Sequence, residues 1–396
     1  MSCHAGPNIV ENGLVFCYDM NNTQKSWKGA PTTNLVGETM SIYNNVPSHV
    51  TAYLEATSEK YNGATIYKLT LTPTTSTGVS YLTAGNNPGL GVISNGGGGL
   101  ANKYTGHSIF FKPTVSMHSS PIFTHYSNIA GWQSTNNYYS MGDGWYRAHV
   151  IWYDTVDRSD GKFWAINPAS ATLNIPIITY FAGPFKEDRN DSTFVSPYTI
   201  GTRTNTQAIL DLTNNNIITA NNVTYNSDNT FKFNSSGQRL DTNITTFGNN
   251  ATWEAWFNGT SNVSTYNMFM GRYLPYFGFY GANRLFFSNT ISGSQRTIET
   301  ATNLTTNTWY HAVFTTSYDN TNTTMKIYTN GVETASGTWS GSQGGDGGNY
   351  FSVGDGYNAN WYRFDGQVPM VKIYNRALSA AEVAQNFNAT RRIYGI

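Results

Sequence analysis

Carboxylates are the residues of this sequence that could hydrolyse a sugar bond, and their spacing decides whether they can. A glycosidase needs two carboxylates about 5 to 9.5 Å apart across the sugar. On a strand this requires Asp or Glu at i, i+2 or i+4 on one face. Glu254 stands in Thr252-Trp-Glu-Ala-Trp-Phe257 with no acidic residue at either spacing. We interpret Glu254 as a structural strand residue, with ligand contact as the alternative.

Other catalytic motifs are absent from the sequence. The seven histidines form no HExxH motif, and neither a G-x-S-x-G elbow nor a P-loop occurs. Residues 96–101 match G-x-G-x-x-A, but Asn102-Lys-Tyr-Thr-Gly follows instead of a helix that could bind a pyrophosphate. The sequence therefore predicts a protein that is not an enzyme, and a glycan hydrolase is the least favoured alternative.

Two groups of aspartates could bind calcium. The D-x-x-D-x-x-D-G spacing of residues 154–161 does not match the EF-hand loop, so a solvated hairpin loop is the better interpretation. The second group lies in or beside Gly-rich loops near the C-terminus and could meet at one end of a sandwich to hold Ca²⁺: Asp346, Asp355 and Asp365. No other cofactor is predicted.

One loop near the C-terminus combines aromatic rings with amide and charged groups. Sugars present apolar C–H faces and hydroxyls, so a loop of this composition could bind glycans. The residues predicted to do so are Tyr357, Asn358, Asn360, Trp361, Tyr362 and Arg363. The alternative is that these aromatic side chains fill the core or pack against a neighbouring subunit.

Composition and charge narrow the class of protein. Charged residues make up only 12% of the chain, with 38 Gly, 27 Tyr, 21 Phe and 10 Trp, which disfavours helical bundles and doubly wound folds and favours an all-β protein. Lys plus Arg equals Asp plus Glu at 23 each, so there is no basic field for nucleic acid. No apolar run approaches the ~20 residues that a membrane span needs, and we expect no signal peptide. Cys3 and Cys17 could close one loop, and the sequence leaves open whether they pair.

Short β-type runs separated by Gly, Asn, Pro and Asp clusters predict a sandwich or jelly roll. The runs cover 14–18, 65–71, 107–111, 145–153, 252–257, 309–315, 325–329 and 370–374. Asn330-Gly331 predicts a type I′ hairpin turn between two of them. One helix is predicted at 378–387, where Ser379 and Glu382 form a capping box, Leu378 can pack on Val383, and Val383 and Phe387 form an apolar stripe.

The C-terminal half resembles laminin-G-like domains of the concanavalin A-like lectin/glucanase superfamily. The resemblance is carried by residues 252–257, 309–313 and 326–331, and by the run from Tyr350-Phe-Ser-Val353-Gly354 through Val371-Lys-Ile373-Tyr374 to the closing helix. The family commonly has an acidic pair where this chain has Val368-Pro369-Met370, so a metal or polar role of that pair is not implied. The superfamily's hydrolases depend on carboxylates that this chain lacks, so the resemblance does not imply an enzyme.

The family's opening strand resembles residues 11–19, and its continuation appears only at 208–215 and on through 231–234. The resemblance therefore implies two β-sandwich domains with one short C-terminal helix: a laminin-G-like sandwich of residues 1–33 and 205–396, and an inserted jelly roll of residues 34–204. The insert resembles carbohydrate-binding-module-like sandwiches. The whole arrangement, with the tail at 387–396, resembles virion proteins of tailed bacteriophages.

This resemblance implies a non-enzymatic protein on the virion surface, as a capsid decoration or a fibre or knob component, assembled in the host cytoplasm. Its expected partners are other virion proteins, a cell-surface polysaccharide and further copies of the chain. A dedicated glycan-binding lectin or adhesin is the alternative. No heptads or β-helical repeats are present, which favours a globular knob or decoration unit over a fibre shaft.

Overall fold

The computed structural model describes most of the chain. The described residues are 8–22, 25–36, 39–42, 48–83, 91–94, 102–116, 123–127, 131–135, 138–154, 163–165, 169–189, 195–196, 198–225, 231–234, 237–260, 267–271, 274–280, 283–344, 350–354 and 364–396. They divide into two compact units: unit 1 comprises Met1–Ala30 and Thr204–Ile396, and unit 2 comprises Pro31–Arg203. No helix among them is both long and apolar enough to span a bilayer.

The regular secondary structure of the described residues is mostly β-strand, with little helix, which confirms the all-β prediction. Strand β1 (Leu14–Asp19) belongs to unit 1. Unit 2 follows with β2 (Thr32–Thr33), β3 (Met40–Ile42), β4 (Val50–Tyr61), β5 (Ala64–Pro73), α1 (Ser76–Thr83), β6 (Gly91–Ser94), β7 (Lys103–Pro113), β8 (Phe123–Ser127), β9 (Gly131–Thr135), β10 (Tyr138–Gly142), β11 (Trp145–Asp154), β12 (Phe163–Ala165), β13 (Ile177–Arg189) and β14 (Thr202–Arg203).

The remaining elements return to unit 1. They are β15 (Ile218–Asn221), β16 (Thr224–Tyr225), β17 (Phe231–Asn234), β18 (Arg239–Thr242), β19 (Ala251–Gly259), β20 (Asn267–Gly271), β21 (Tyr276–Tyr280), β22 (Arg284–Ile291), β23 (Ser294–Glu299), β24 (Trp309–Tyr318), β25 (Asn322–Thr329), β26 (Val332–Ser340), β27 (Ser352–Val353), β28 (Asp365–Tyr374), α2 (Ala380–Thr390) and a 3₁₀ turn, Arg391–Tyr394. Every strand run predicted from the sequence falls within one of these strands.

Unit 1 contains two antiparallel sheets. One has the order β16-β17-β28-β19-β24-β25-β26, with β1 also paired to β28, and the other has the order β15-β18-β27-β20-β21-β22-β23. Alternation along β19 sends Trp253, Ala255 and Phe257 into the core between the sheets and sends Glu254 and Trp256 to the opposite face. That opposite face is buried as well, because α2 packs on it.

The turn and the helix cap predicted near the C-terminal end of unit 1 are confirmed. Asn330 and Gly331 both have positive φ between β25 and β26, as a type I′ turn requires. The Ser379 hydroxyl caps α2 and Glu382 completes the capping box. Leu378 and Val383 share one buried cluster, as the predicted staple requires.

Unit 2 contains a six-stranded sheet of order β10-β11-β7-β13-β5-β4, a five-stranded sheet of order β3-β6-β12-β8-β9, and the short pair β2-β14. Its main described core packs on one face of the six-stranded sheet and includes Ile109, Phe111 and Phe181. The opposite face holds Phe110 and Trp145. The two faces of this sheet therefore carry separate sets of side chains.

Helix α1 is an element that the sequence pattern does not predict. Its eight residues include a glycine and three β-branched side chains, which are weak helix formers. The Thr75 hydroxyl accepts a hydrogen bond from the Gly78 amide and caps the first turn. A Cβ at Gly78 would come within 2.1 Å of the His49 carbonyl oxygen, so the helix packs closely against that backbone only because residue 78 is glycine.

Candidate functional site

The predicted glycan-binding residues all lie in the segment 355–363, outside the described residues. Asp346 and Asp355 of the predicted calcium site also lie outside them. Asp365 is described: its carboxylate lies 3.8 Å from the Lys232 ammonium, and its backbone carbonyl accepts a hydrogen bond from the Thr260 amide. Within the described part of the chain, no group of three His, Cys, Asp or Glu residues could hold a metal ion. The glycan and calcium sites therefore stay predictions.

Two described residues fix the ends of the segment that carries the predicted glycan site. The Phe364 amide donates a hydrogen bond to the Gly354 carbonyl over 3.2 Å, and the Gly354 amide donates to the Phe269 carbonyl over 2.8 Å. Phe364 is fully buried against Phe233, Phe269 and Phe279. A Cβ at Gly354 would lie 2.3 Å from the Phe233 ring, so this position requires glycine. The segment thus starts and ends at one well-packed point of the sandwich.

A shallow pocket opens beside that point. Gly259 lies on its wall, pairs with Gly366 of β28, and would place a Cβ 3.6 Å from the Phe364 ring. The pocket encloses about 240 Å³, including its open mouth. Its lining residues come from the ends of β19, β21 and β24 and from the loops beside them: Phe257, Gly259, Phe279, Asn283, Leu304, Thr305, Thr306 and Tyr310.

The pocket combines aromatic faces with neutral hydrogen-bonding groups. The Phe257 and Tyr310 rings are stacked with centroids 5.9 Å apart. The Tyr310 hydroxyl accepts a hydrogen bond from the Thr305 amide over 3.0 Å and keeps its own proton to donate. The Asn283 side chain donates to the Leu304 carbonyl over 3.3 Å, which fixes the rim loop.

None of the described lining residues is ionisable at neutral pH. Phe257 and Phe279 are buried, so Tyr310 is the aromatic residue of the lining through which the pocket can contact a neutral polar molecule and hydrogen-bond to it. Its lining offers no carboxylate or imidazole for acid–base chemistry.

Glu254, the carboxylate considered for catalysis, lies elsewhere, under helix α2. It is 1% exposed, and its Oε1 accepts hydrogen bonds from the Lys372 ammonium at 2.6 Å and lies 3.0 Å from His311 Nε2. Its Oε2 accepts from the Asn386 amide of α2 at 2.6 Å. Asn386 also accepts from the Val10 amide, so this network joins the sheet, the helix and the N-terminal segment.

The environment of this network explains its ionisation. Burial by itself would raise the pKa of Glu254, but the Lys372 charge and the His311 hydrogen bond outweigh it and lower the pKa to about 2. Burial lowers the pKa of His311, so its ring is neutral at pH 7. The network is thus a buried ion pair with a neutral imidazole, closed to any substrate. This confirms the structural interpretation of Glu254.

Sequence reasoning missed both the pocket and the partners of Glu254. A signal for the partners exists: Glu254, His311 and Lys372 are each a single polar residue within an otherwise apolar run. Because such runs form central strands, a polar residue on the outer face indicates that something covers that face. The pocket residues carried no comparable signal, because aromatic residues at strand ends are common throughout this chain.

Comparison with known proteins bears on unit 1. Residues 233–384 match the family model described as the concanavalin A-like lectin/glucanases superfamily. No curated protein sequence matches the chain.

Several solved structures are similar at low identity. Domain 4 of AbnA, a GH43 extracellular arabinanase from Geobacillus stearothermophilus, in complex with arabinotriose, is 23% identical with a TM-score of 0.33, over 45% of this chain and 91% of that one. The Ruminococcus gnavus IT-sialidase CBM40 bound to α2,3-sialyllactose is 14% identical with a TM-score of 0.30, over 35% and 82%. The botulinum neurotoxin type G receptor binding domain is 16% identical with a TM-score of 0.36, over 45% of this chain and 48% of that domain, about half of its length. The family match covers residues 233–384, a stretch that lies within unit 1.

Proposed function

We propose that this protein is a non-enzymatic glycan-binding protein and that the pocket at the end of the unit 1 sandwich takes part in binding. The observation that carries the proposal is the pocket's lining, which joins the half-buried Tyr310 ring to neutral hydrogen-bonding groups and contains no carboxylate, imidazole, ammonium or guanidinium group. Such a lining suits the apolar C–H faces and the hydroxyls of a sugar. The lectin family match over the same stretch supports the proposal.

The size of the pocket indicates what part of a glycan it takes. Its roughly 240 Å³ includes the open mouth, so the pocket is a shallow depression. It would therefore contact one face of a sugar ring of a longer glycan and would not enclose the ring. Trp361 and its neighbours, which the sequence predicts to bind glycans, lie between Gly354 and Phe364 in the chain, outside the described residues, and their role stays a prediction.

Gly259→Ala tests the pocket with little disturbance of the fold. The added methyl group would lie 3.5 Å from the Phe279 ring and 3.6 Å from the Phe364 ring, which are ordinary contacts, yet it would occupy the pocket wall. We expect the full-length protein to bind a subset of a bacterial polysaccharide array, and Gly259→Ala to weaken that binding at least tenfold.

The matched control is Gly248→Ala, whose nearest new contact would be 3.8 Å away at the Asn250 carbonyl oxygen. This control should bind like the unmodified protein. Equal affinities of the Gly259→Ala and Gly248→Ala variants for the polysaccharide would refute the proposal that the pocket takes part in binding. Loss of binding on Trp361→Ala with unchanged Gly259→Ala binding would place the site in the 355–363 segment alone.

The burial of Glu254 supports the absence of enzymatic activity. We expect no new reducing ends when the protein is incubated with any polysaccharide that it binds. Cleavage that disappears in a folded Glu254→Gln variant would overturn this part of the proposal.

We further propose that the chain acts on the surface of a tailed-phage particle, either as a capsid decoration or as a knob that touches the host, and that it is assembled in the host cytoplasm. This role rests on the resemblance of the sequence to tailed-phage virion proteins. Antibodies against the chain should label the outside of such particles in electron micrographs. Particles that lack the protein would refute the assignment.

A further inference from the structure

Unit 2 exposes a row of aromatic side chains at the edge of its six-stranded sheet, which we call the tyrosine strip: Tyr104, Tyr139, His149 and Tyr153. Tyr139 lies on β10, the described edge strand, beside Arg147 of β11, and Tyr153 of β11 pairs with Tyr104 of β7. Alternation along β11 puts residues 147, 149 and 153 on the same face. At ~3.4 Å per residue, His149 and Tyr153 are about 14 Å apart along the strand, enough for more than one sugar ring.

The rings of the strip are accessible and grouped. The Tyr139 side chain is 44% exposed and that of Tyr153 is 41% exposed. The Tyr139 ring centroid lies 5.8 Å from that of His149, and the Tyr153 centroid lies 5.1 Å from that of Tyr104. Exposed, neighbouring rings on a sheet are suited to stack against successive sugar faces.

A buried positive charge lies directly beneath this strip. The Arg147 side chain is only 5% exposed. Its guanidinium donates to the Ser108 hydroxyl at 2.7 Å and 3.2 Å, to the Ser196 carbonyl, and to the Tyr139 hydroxyl at 3.2 Å. These acceptors, all of them described, are neutral oxygen atoms. Burying a guanidinium with no carboxylate among its described hydrogen-bond partners lowers the stability of the fold. A bound anion would offset this cost.

The Glu187 carboxylate reaches the same segment but is not among the described hydrogen-bond partners of Arg147. Glu187 accepts hydrogen bonds from the Ser196 amide at 2.6 Å and from the Thr32 hydroxyl at 2.8 Å. Burial and the Arg147 charge lower the pKa of His149, so its ring adds no second charge at neutral pH. The Nδ1 atom of His149 is buried and has no hydrogen-bond partner among the described residues. The strip thus lies beside a cation whose described hydrogen-bond partners include no carboxylate.

Tyr139 connects the cation to the surface. Its hydroxyl accepts from Arg147, so its own proton is left to donate outward, and the Arg147 charge strengthens that donation. We propose that the tyrosine strip binds an acidic polysaccharide, with a sugar carboxylate held at the Tyr139 hydroxyl in the field of Arg147 and with neighbouring rings stacked on His149 and Tyr153. This site belongs to unit 2 and does not depend on the pocket proposed in unit 1.

Polygalacturonic acid is the probe that tests the proposal, and its fully methyl-esterified form is the matched neutral control. In affinity electrophoresis of the full-length protein, we expect the acid polymer to bind at least tenfold more tightly than the ester. Tyr139→Phe keeps the ring and removes the hydroxyl, so it should weaken acid-polymer binding about tenfold. Tyr153→Ala should weaken it by a similar factor.

Tyr53→Phe is the control, because Tyr53 is 62% exposed on β4, at the other edge of the same sheet. It should bind the acid polymer like the unmodified protein. Equal binding of acid and ester polymers would refute the proposal. So would unchanged binding in both Tyr139→Phe and Tyr153→Ala, or DNA binding as tight as that of the acid polymer, which would indicate simple attraction of anions.

Discussion

Replacing Lys372 with methionine should destabilise unit 1 severely, because it leaves a carboxylate buried without its cation. Lys372 is fully buried and its ammonium lies 2.6 Å from Glu254 Oε1. Methionine fills much of the same volume, so the change removes the charge with little loss of packing. Glu254 would keep the neutral His311 and Asn386 as its hydrogen-bonding partners.

Two routes give the size of this effect. The pKa of Glu254 falls from its ordinary 4.5 to about 2 in the folded protein, even though burial by itself would raise it, and this corresponds to about 3 kcal/mol in favour of the charged form. Removing one partner of a buried ion pair typically costs ~3–5 kcal/mol. We therefore expect Lys372→Met to lower the free energy of unfolding of unit 1 by about 3–5 kcal/mol.

Urea unfolding of the full-length protein, followed by tryptophan fluorescence and fitted as separate transitions if the two units melt apart, measures this change. Lys326→Met is the matched control, because Lys326 pairs with Glu333 over the same kind of distance, 2.8 Å, at the surface. This control should cost less than about 1 kcal/mol. The double variant Glu254→Gln/Lys372→Met removes both charges and should be more stable than Lys372→Met alone. Equal costs for Lys372→Met and Lys326→Met, or a double variant less stable than Lys372→Met, would refute the reasoning.

Three further predictions follow from the same unit. Acidification should lower the melting temperature of unit 1, because the unfolded chain protonates His311 from about pH 6.5 downwards and the folded ring, whose pKa is lowered, takes up its proton only at lower pH. The contribution of Glu254 is complete above pH 4.5 and is lost as the pH falls towards 2. His311→Gln should flatten the dependence of the melting temperature on pH below 6.5, and an unchanged dependence would contradict the assignment. Ser379→Ala should cost about 1 kcal/mol in urea unfolding, because it removes the hydroxyl that caps α2, and a cost near zero would show that the cap is dispensable. Gly331→Ala should lower the free energy of unfolding more than Gly293→Ala in the same urea experiment. Both residues have positive φ, but of the two only Gly331 would bring its Cβ against a side chain, that of Phe387, at 3.1 Å. Equal losses would mean that the Phe387 ring moves aside without cost.

Local features were predictable from the sequence because neighbouring residues determine them. The Asn330-Gly331 turn needs only two residues that tolerate positive φ, and the capping box of α2 needs only Ser379 and Glu382, three positions apart. Strand runs are visible for the same reason, since alternation is a property of adjacent side chains. Helix α1 escaped prediction because its weak helix formers are held by the Thr75 cap and by the close approach of Gly78 to His49.

The sites depend on contacts between residues far apart in the chain. Glu254 meets His311, Lys372 and Asn386 across 57, 118 and 132 positions, and no local pattern encodes which polar residues will meet. In the same way, only the tertiary structure shows that Ser108, Tyr139 and Ser196, all neutral acceptors, are the described hydrogen-bond partners of Arg147. Composition and periodicity determined by themselves that the chain folds into sheets. Only the tertiary structure decided which charges are buried and paired, because burial and pairing depend on which strands and helices pack together.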